Sequence, residues 1–230
     1  MPIIIFCIIS IFFIFLIIWG NRNKIFLEKI TEIHRGTEAE RDLILELVKA
    51  GFSEKEIFHD LYIKRFNGTF SQVDLVVLTE VGILVFEVKD YSGWIFGNGR
   101  NQQWTQVLAY GKEKYRFYNP IKQNYSHIVE LHKKIGNFSK VPVYSIVVFY
   151  GDCELKDINF IPERNFVTKS ERVMEVISHI INSNNTVDYN DKSKVIEILE
   201  DCVKNGENIE TQIQHIENIK HMFDEDRVFR

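Results

Sequence analysis

Two apolar runs rich in β-branched residues flank Glu80-Val81 in "SQVDLVVLTEVGILVFEVKD", residues 71–90. Runs of this kind read as a β-hairpin, and a hairpin has a register. A two-residue loop pairs Thr79 with Gly82, and a four-residue loop pairs Leu78 with Ile83; both set Asp74 opposite Glu87. Opposed residues share a face, with Cβ atoms about 4.5–5.5 Å apart. Two ionised carboxylates at that distance repel. A divalent cation removes the conflict, and hard oxygen donors suit Mg2+ or Mn2+. A loop of three or five residues turns Asp74 to the other face, so the reading stands on register. Strand alternation also puts Val85, Glu87 and Lys89 on one side and Leu84, Phe86 and Val88 on the other. The hairpin alone leaves a second reading open, a wet face carrying a charge cluster, although Val76 and Leu78 beside Asp74 argue against it.

The segment "GTEAERDLILELVKAGF" shifts the balance. At about 100° per residue, Ala39, Leu43, Ile44, Leu47 and Val48 form an apolar stripe with Glu40 near its centre. A buried carboxylate needs a cation, a metal-bound water or a proton. A functional site supplies one; the alternative is a structural ion pair with Lys89. Together Glu40, Asp74, Glu87 and Lys89 fit metal-assisted phosphodiester hydrolysis. Asp74 and Glu87 hold the metal with the Val88 carbonyl, Glu40 completes the shell through water, and Lys89 orients the attacking water or balances the scissile phosphate.

The rest of the chain reads as a mixed sheet flanked by helices. "EIFHDLYIKRF" is a strand before the hairpin and "SGWIFGNG" a short one after it, followed by an aromatic and basic region up to Tyr118. His59 reads as a strand histidine without chemistry. "NPIKQNYSHIVELHKKIG" is a helix with Asn119 as N-cap, Pro120 at its first position and Gly136 past its end. Its expected buried stripe is Ile121, Tyr125, Ile128, Leu131, His132 and Ile135, which sets Gln123 on the opposite face. "VPVYSIVVFYG" is a buried-type strand, "NFVTK" a short one and "SERVMEVISHIIN" a helix. Residues 183–191 form a polar linker. Two amphipathic helices follow, packing on the main domain or on each other. Three scattered cysteines show neither metal spacing nor a disulfide framework.

Net charge is −4 overall, so nothing global advertises nucleic-acid binding. From Arg100 to Lys134, however, seven Lys/Arg face two Glu, and from Asn185 onward eleven Asp/Glu face six Lys/Arg. The basic stretch is the expected nucleic-acid surface. Lys112, Lys114, Arg116 and Lys122 are its phosphate contacts, and Trp104, Tyr110 and Tyr115 are stacking candidates, with Trp104, Phe117 and Tyr118 as core the alternative.

Residues 2–19 carry no charge and are long enough to span a bilayer. Trp19 fits an interfacial anchor, and Arg22, Lys24, Lys29 and Arg35 follow it, so the remainder is expected in the cytoplasm. The expected division is an anchor over 1–20, a juxtamembrane segment over 21–35, a main domain over 36–182, and a linker with helical tail over 183–230.

"GTEAER", "QVDLVVL", "GILVFEVKDYSGWI", Trp104 and "NPIKQNYSHIVEL" resemble, in order and spacing, the NERD (nuclease-related) domain. The resemblance spans residues 36 to 131, with a weaker echo through "VYSIVVFY". It implies a restriction-endonuclease-like, PD-(D/E)XK α/β fold, and puts the acidic and basic positions of that family on Glu40, Asp74, Glu87 and Lys89. Gln123 falls in the "NPxxQN" motif and resembles the glutamine of related nucleases; its helical phase allows a plain solvated glutamine equally. The expectation is a membrane-tethered, Mg2+- or Mn2+-dependent nuclease acting on nucleic acid, DNA before RNA. A binding module on the same fold that holds nucleic acid without cutting it is the alternative. A third reading is a structural membrane protein whose tail helices recruit a partner.

Overall fold

The computed structural model describes residues 24–32, 34–136 and 141–228. The apolar segment 2–19, with its expected anchor, lies outside the described residues. Among those described, no helix is long and apolar enough to cross a membrane.

After a helical stretch over 24–28 comes helix α1 (Glu38–Lys49), capped by Thr37, whose hydroxyl accepts the Glu40 amide. Strands β1 (Ile57–Lys64), β2 (Phe70–Thr79) and β3 (Gly82–Asp90) form an antiparallel meander. β4 (Gly93–Asn98), β5 (Gln103–Leu108) and β6 (Glu113–Tyr118) lead into helix α2 (Pro120–Ile135). Strands β7 (Val143–Tyr150), β8 (Cys153–Asn159) and β9 (Asn165–Lys169) precede helices α3 (Val173–Ser183), α4 (Lys192–Glu207) and α5 (Ile209–Val228). The fold is mixed α/β with two mixed sheets. One has the order β1-β2-β3-β7-β9 and the other β6-β5-β4-β8.

The second sheet is a correction to the expectation of a single sheet. The aromatic and basic region before Tyr118 is two strands, and β8 was not anticipated. β6 alternates Lys114 and Arg116 with Tyr115 and Phe117, but only Phe117 is less than fully exposed, so its short pattern does not say which sheet it joins. Its place in the sheet comes from backbone pairing to β5, Gln103↔Tyr118 through Leu108↔Glu113.

Both faces of the first sheet are covered. α1 and α3 bury Leu43, Ile44, Leu47 and Ile177 against Leu75, Val77, Leu84 and Phe86. On the other face, Leu131 and Ile135 of α2 and Val195, Leu199 and Cys202 of α4 pack on Phe58, Val76, Leu78 and Val85. The tail helix α4 therefore packs on the main domain, the first of the two arrangements expected for it. The 183–191 segment is polar but docked: Val187 donates its amide to the Glu80 carbonyl, and the buried Tyr189 hydroxyl donates 2.8 Å to the Thr79 carbonyl. Arg35, 3% exposed, ties the chain before α1 to both layers. Its guanidinium meets Asp60 Oδ2 at 2.9 Å and donates to the Val203 carbonyl of α4 at 3.2 Å.

The helix α2 has the cap foreseen for it, with Asn119 Oδ1 accepting from the Ile121 amide and Pro120 opening the helix. Its buried face is turned from the expected one. Asn124 and His127 are buried, while Tyr125 is 64% exposed and His132 is half-buried. Asn124 earns its burial through hydrogen bonds to the Val85 carbonyl and Ser145 Oγ, both 2.9 Å. Two polar side chains thus take positions that an apolar count assigns to a tyrosine and a histidine; the Asn124 amide nitrogen is fully used, while its Oδ1 is buried without a partner.

Candidate active site

The hairpin register is the one derived above, running from Thr79↔Gly82 to Leu75↔Phe86. The ladder stops one pair short of Asp74 and Glu87, which the same register sets opposite each other. There the strands part, and Asp74 Oδ2 accepts the Val88 amide at 2.7 Å. A side-chain carboxylate replaces the backbone acceptor that a continued strand would supply.

The β1–β2 ladder skips the same row, passing from His59↔Leu75 to Leu61↔Val73. Asp60, opposite Asp74, has φ +53°, outside strand geometry. Face alternation shifts here on both strands. Ile57 faces the α1 side, whereas Leu61 and Ile63 face α4; Leu75 and Val77 face α1, whereas Val73 joins Val76 on the α4 side. Asp74 therefore sits at a break in strand phase, between groups on either face. It does not simply continue the Val76–Leu78 side.

The acidic row at this break is Asp60, Asp74 and Glu87. Asp60 is neutralised by Arg35 and accepts Gln72 Nε2 at 2.8 Å. Glu87, 1% exposed, has Lys89 Nζ 2.5 Å from Oε1 and His127 Nε2 3.3 Å from Oε2. Neither oxygen receives a well-directed hydrogen bond; the Lys89 ammonium holds Oε1 by charge. Burial pushes the Glu87 carboxyl up, but Lys89 and His127 outweigh it and hold it below the usual range. Asp74 has no such cation against it. Burial, then Glu87, then Glu40 push its carboxyl well above the ordinary range, with Lys89 and the Val88 amide opposing. Burial lowers the Lys89 ammonium, yet Glu87 and Asp74 bring it out higher than usual, so it stays charged.

Glu40 is buried as its helical phase required, at 5% exposure. Its partner is His59, not Lys89: Nε2 lies 2.9 Å from Glu40 Oε2, and His59 Nδ1 is 2.6 Å from Thr31 Oγ1. His59 lies in β1, the strand expected for it, and its pairing with Glu40 is a contact that the sequence did not indicate. Gly36, at φ +64°, leaves room for the pair, since a Cβ there would fall 2.4 Å from His59 Nε2. Glu40 approaches from the α1 face and Glu87 from the α2 face, and Asp74 between them feels both.

Gln123 faces the site, correcting its expected placement on the far side of α2. Its Oε1 accepts from Lys89 Nζ at 3.2 Å. His127 lies one turn further along α2. It bridges Glu87 and Ser71, whose Oγ is 2.9 Å from Nδ1 and accepts from Arg65 Nη2 at 3.3 Å. The i, i+4 spacing of Gln123 and His127 was the one signal that could have paired them with the strand.

The basic-run residues do not form one cluster with these carboxylates. Lys112, Lys114 and Arg116 are exposed on or beside β6. Lys122 is half-buried, donating to Gln102 Oε1 at 3.3 Å. Trp104 is core, 1% exposed and stacked 6.2 Å from Phe149, which removes it as a stacking candidate for bases. Tyr110 and Tyr115 are exposed.

Among the described residues, no three His, Cys, Asp or Glu side chains assemble a ready-made metal cage. The donors nonetheless fit a hard divalent ion. Two carboxylates converge, one with its charge unbalanced, and Mg2+ binds through one or two carboxylates while keeping several waters.

Compared with known proteins, the family described as "NERD: Nuclease-related domain" matches residues 35–150. An uncharacterized protein of Bacillus anthracis is 34% identical over 103 residues, covering 45% of this chain and 47% of that protein. The chain thus spans about half the length of this relative. No solved structure matches.

Proposed function

Because this chain belongs to the nuclease-related (NERD) domain family, we propose that it is a divalent-metal-dependent nuclease of the restriction-endonuclease-like class, tethered to a membrane through residues 2–19 with its folded domain in the cytoplasm. DNA is its favoured substrate. The observation that carries this reading is Asp74, an unbalanced carboxylate facing Glu87 where β2 and β3 part.

Asp74 and Glu87 would hold Mg2+ or Mn2+, with the Val88 carbonyl and, through water, Glu40. When bound, such an ion supplies Lewis acidity that makes water nucleophilic near neutral pH and offsets transition-state charge. The remaining work falls to the protein. Lys89, kept charged by Glu87 and Asp74, presents an ammonium to a phosphate oxygen or to the attacking water. Gln123 holds that ammonium from the far side. His127 fixes Glu87 Oε2 and is fixed in turn by Ser71. His59 keeps Glu40 aimed from the opposite face.

One observation favours the alternative of a tethered binding module. The Lys89 ammonium already pairs with Glu87 without any ion. The deciding experiment incubates the full chain, in mild detergent, with single-stranded DNA, duplex DNA and RNA in Mg2+, Mn2+ or EDTA. Cleavage lost in EDTA and in Glu87→Gln and Lys89→Met supports the nuclease. Binding without cleavage of any substrate in any metal supports the module.

A further inference from the structure

The second sheet buries one face and leaves the other open. Ile95, Trp104, Cys153 and Leu155 point inward onto Val147 and Phe149. On the outer face, Trp94 is registered with Val107 and Phe96 with Thr105. Val107 in turn pairs with Lys114, and Thr105 with Arg116. Two rows therefore cross the sheet, each with an aromatic ring on β4 and a cation on β6. Trp94, Phe96, Thr105, Val107, Gly111 and Lys114 line a shallow groove there. Both rings are half-buried, whereas Lys114 and Arg116 are exposed.

We infer that this face binds single-stranded DNA, with Trp94 and Phe96 stacking on two bases and Lys114 and Arg116 neutralising the phosphates beside them. The ring spacing suits the ligand. Rings two residues apart on a strand are about 6.6 Å apart, roughly twice the 3.4 Å base spacing of a stacked duplex strand. That is the spacing of bases spread on a platform. A duplex keeps its base faces stacked within itself and offers these rings nothing to stack on.

Charge sets the path of the strand. On the β8 edge Glu154 is registered with Trp94 and Asp157 with Phe96; Lys156 Nζ pairs Glu154 Oε1 at 2.5 Å and lies 5.4 Å over the Trp94 ring, which leaves that edge acidic, whereas Lys114 and Arg116 make the β6 edge basic. The face also adjoins the carboxylates: β4 starts four residues after Lys89, and β6 ends two residues before α2, which carries Gln123. That the bound strand continues to Asp74 and Glu87 rests on the nuclease reading; the binding itself does not.

The test measures anisotropy of a labelled thymidine oligomer on the full chain in detergent with EDTA, so that cleavage plays no part. A duplex and a uridine oligomer of equal length run in parallel. Trp94→Leu and Phe96→Leu are each expected to weaken single-strand binding about ten-fold or more, with duplex affinity unchanged. Lys114→Gln with Arg116→Gln should flatten the log–log salt slope by about 1.4, two phosphates' worth for a single strand. Because a leucine could disturb folding, Trp94→Phe supplies an independent reading: it keeps binding but abolishes the tryptophan quenching that the oligomer causes in wild type. Wild-type affinity in both leucine variants, equal wild-type affinity for the duplex, or quenching that survives Trp94→Phe overturns the proposal. Tighter binding of the uridine oligomer overturns its assignment to DNA. Cleavage in Mg2+ is scored separately. Trp94-dependent binding without cleavage refutes the nuclease and supports this face; cleavage without such binding does the reverse.

Discussion

Replacing Asp74 with Asn should make the protein more stable without metal and inert with it. Opposed carboxylates with Cβ atoms about 5 Å apart repel by about 3 kcal/mol at an effective dielectric of 20. Lys89 attracts Asp74 and offsets part of this, leaving a gain of about 1–2 kcal/mol, within the usual range for relieving a strained functional site. For a chain of this length that raises Tm by roughly 2–8 °C. The pH dependence fixes the sign. The native Asp74 pKa lies well above its ordinary value of 3.8, so between the two the native state holds more protons than the unfolded one. Stability then falls as pH rises through that window. The advantage of Asp74→Asn is thus absent below pH 3.8, grows above it, and is complete once native Asp74 ionises. Thermal melts in EDTA from pH 5 to 8.5 check this. Saturating Mg2+ should raise the wild-type Tm by mass action and leave that of Asp74→Asn unmoved. A variant less stable than wild type at pH 8.5 in EDTA, or one that Mg2+ stabilises equally, refutes the reasoning.

The buried Arg35–Asp60 pair makes a second prediction. Arg35→Met leaves Asp60 buried without its cation and should cost about 3–5 kcal/mol in urea denaturation, much of it recovered by adding Asp60→Asn. Lys89→Met removes the largest influence holding the Glu87 carboxyl down. The stability that Glu87 contributes is complete above its ordinary value of 4.5 and lost as pH falls through its lowered native pKa, and Lys89→Met should move that loss to higher pH in acid-denaturation curves. Tyr189→Phe removes the hydroxyl's bond to the Thr79 carbonyl and should cost about 1 kcal/mol in the same urea assay.

How much of this could be read beforehand differs from residue to residue. Asp74 and Glu87 were legible because antiparallel register is arithmetic: loop length fixes every pair, and the observed ladder follows it. Burial of Glu40 was legible because helical phase is regular. Its partner was not, since His59 approaches from strand β1, 19 residues away. Gln123 was misplaced because the burial of α2 is set by hydrogen bonds from Asn124 and His127 as well as by hydrophobicity.

From the sequence alone come the hairpin register, the cap of α2, the buried glutamate and the basic stretch, all products of local periodicity and turn chemistry. Only the tertiary structure decides how these pieces meet. It adds a second sheet, whose strand partners no local pattern assigns, and a phase break at Asp60 and Asp74 that brings Glu40 and Glu87 from opposite faces onto one carboxylate. Periodicity describes each strand in isolation; a left-handed residue and the strand parting beside it depend on what the neighbouring strand, helix and Arg35 supply.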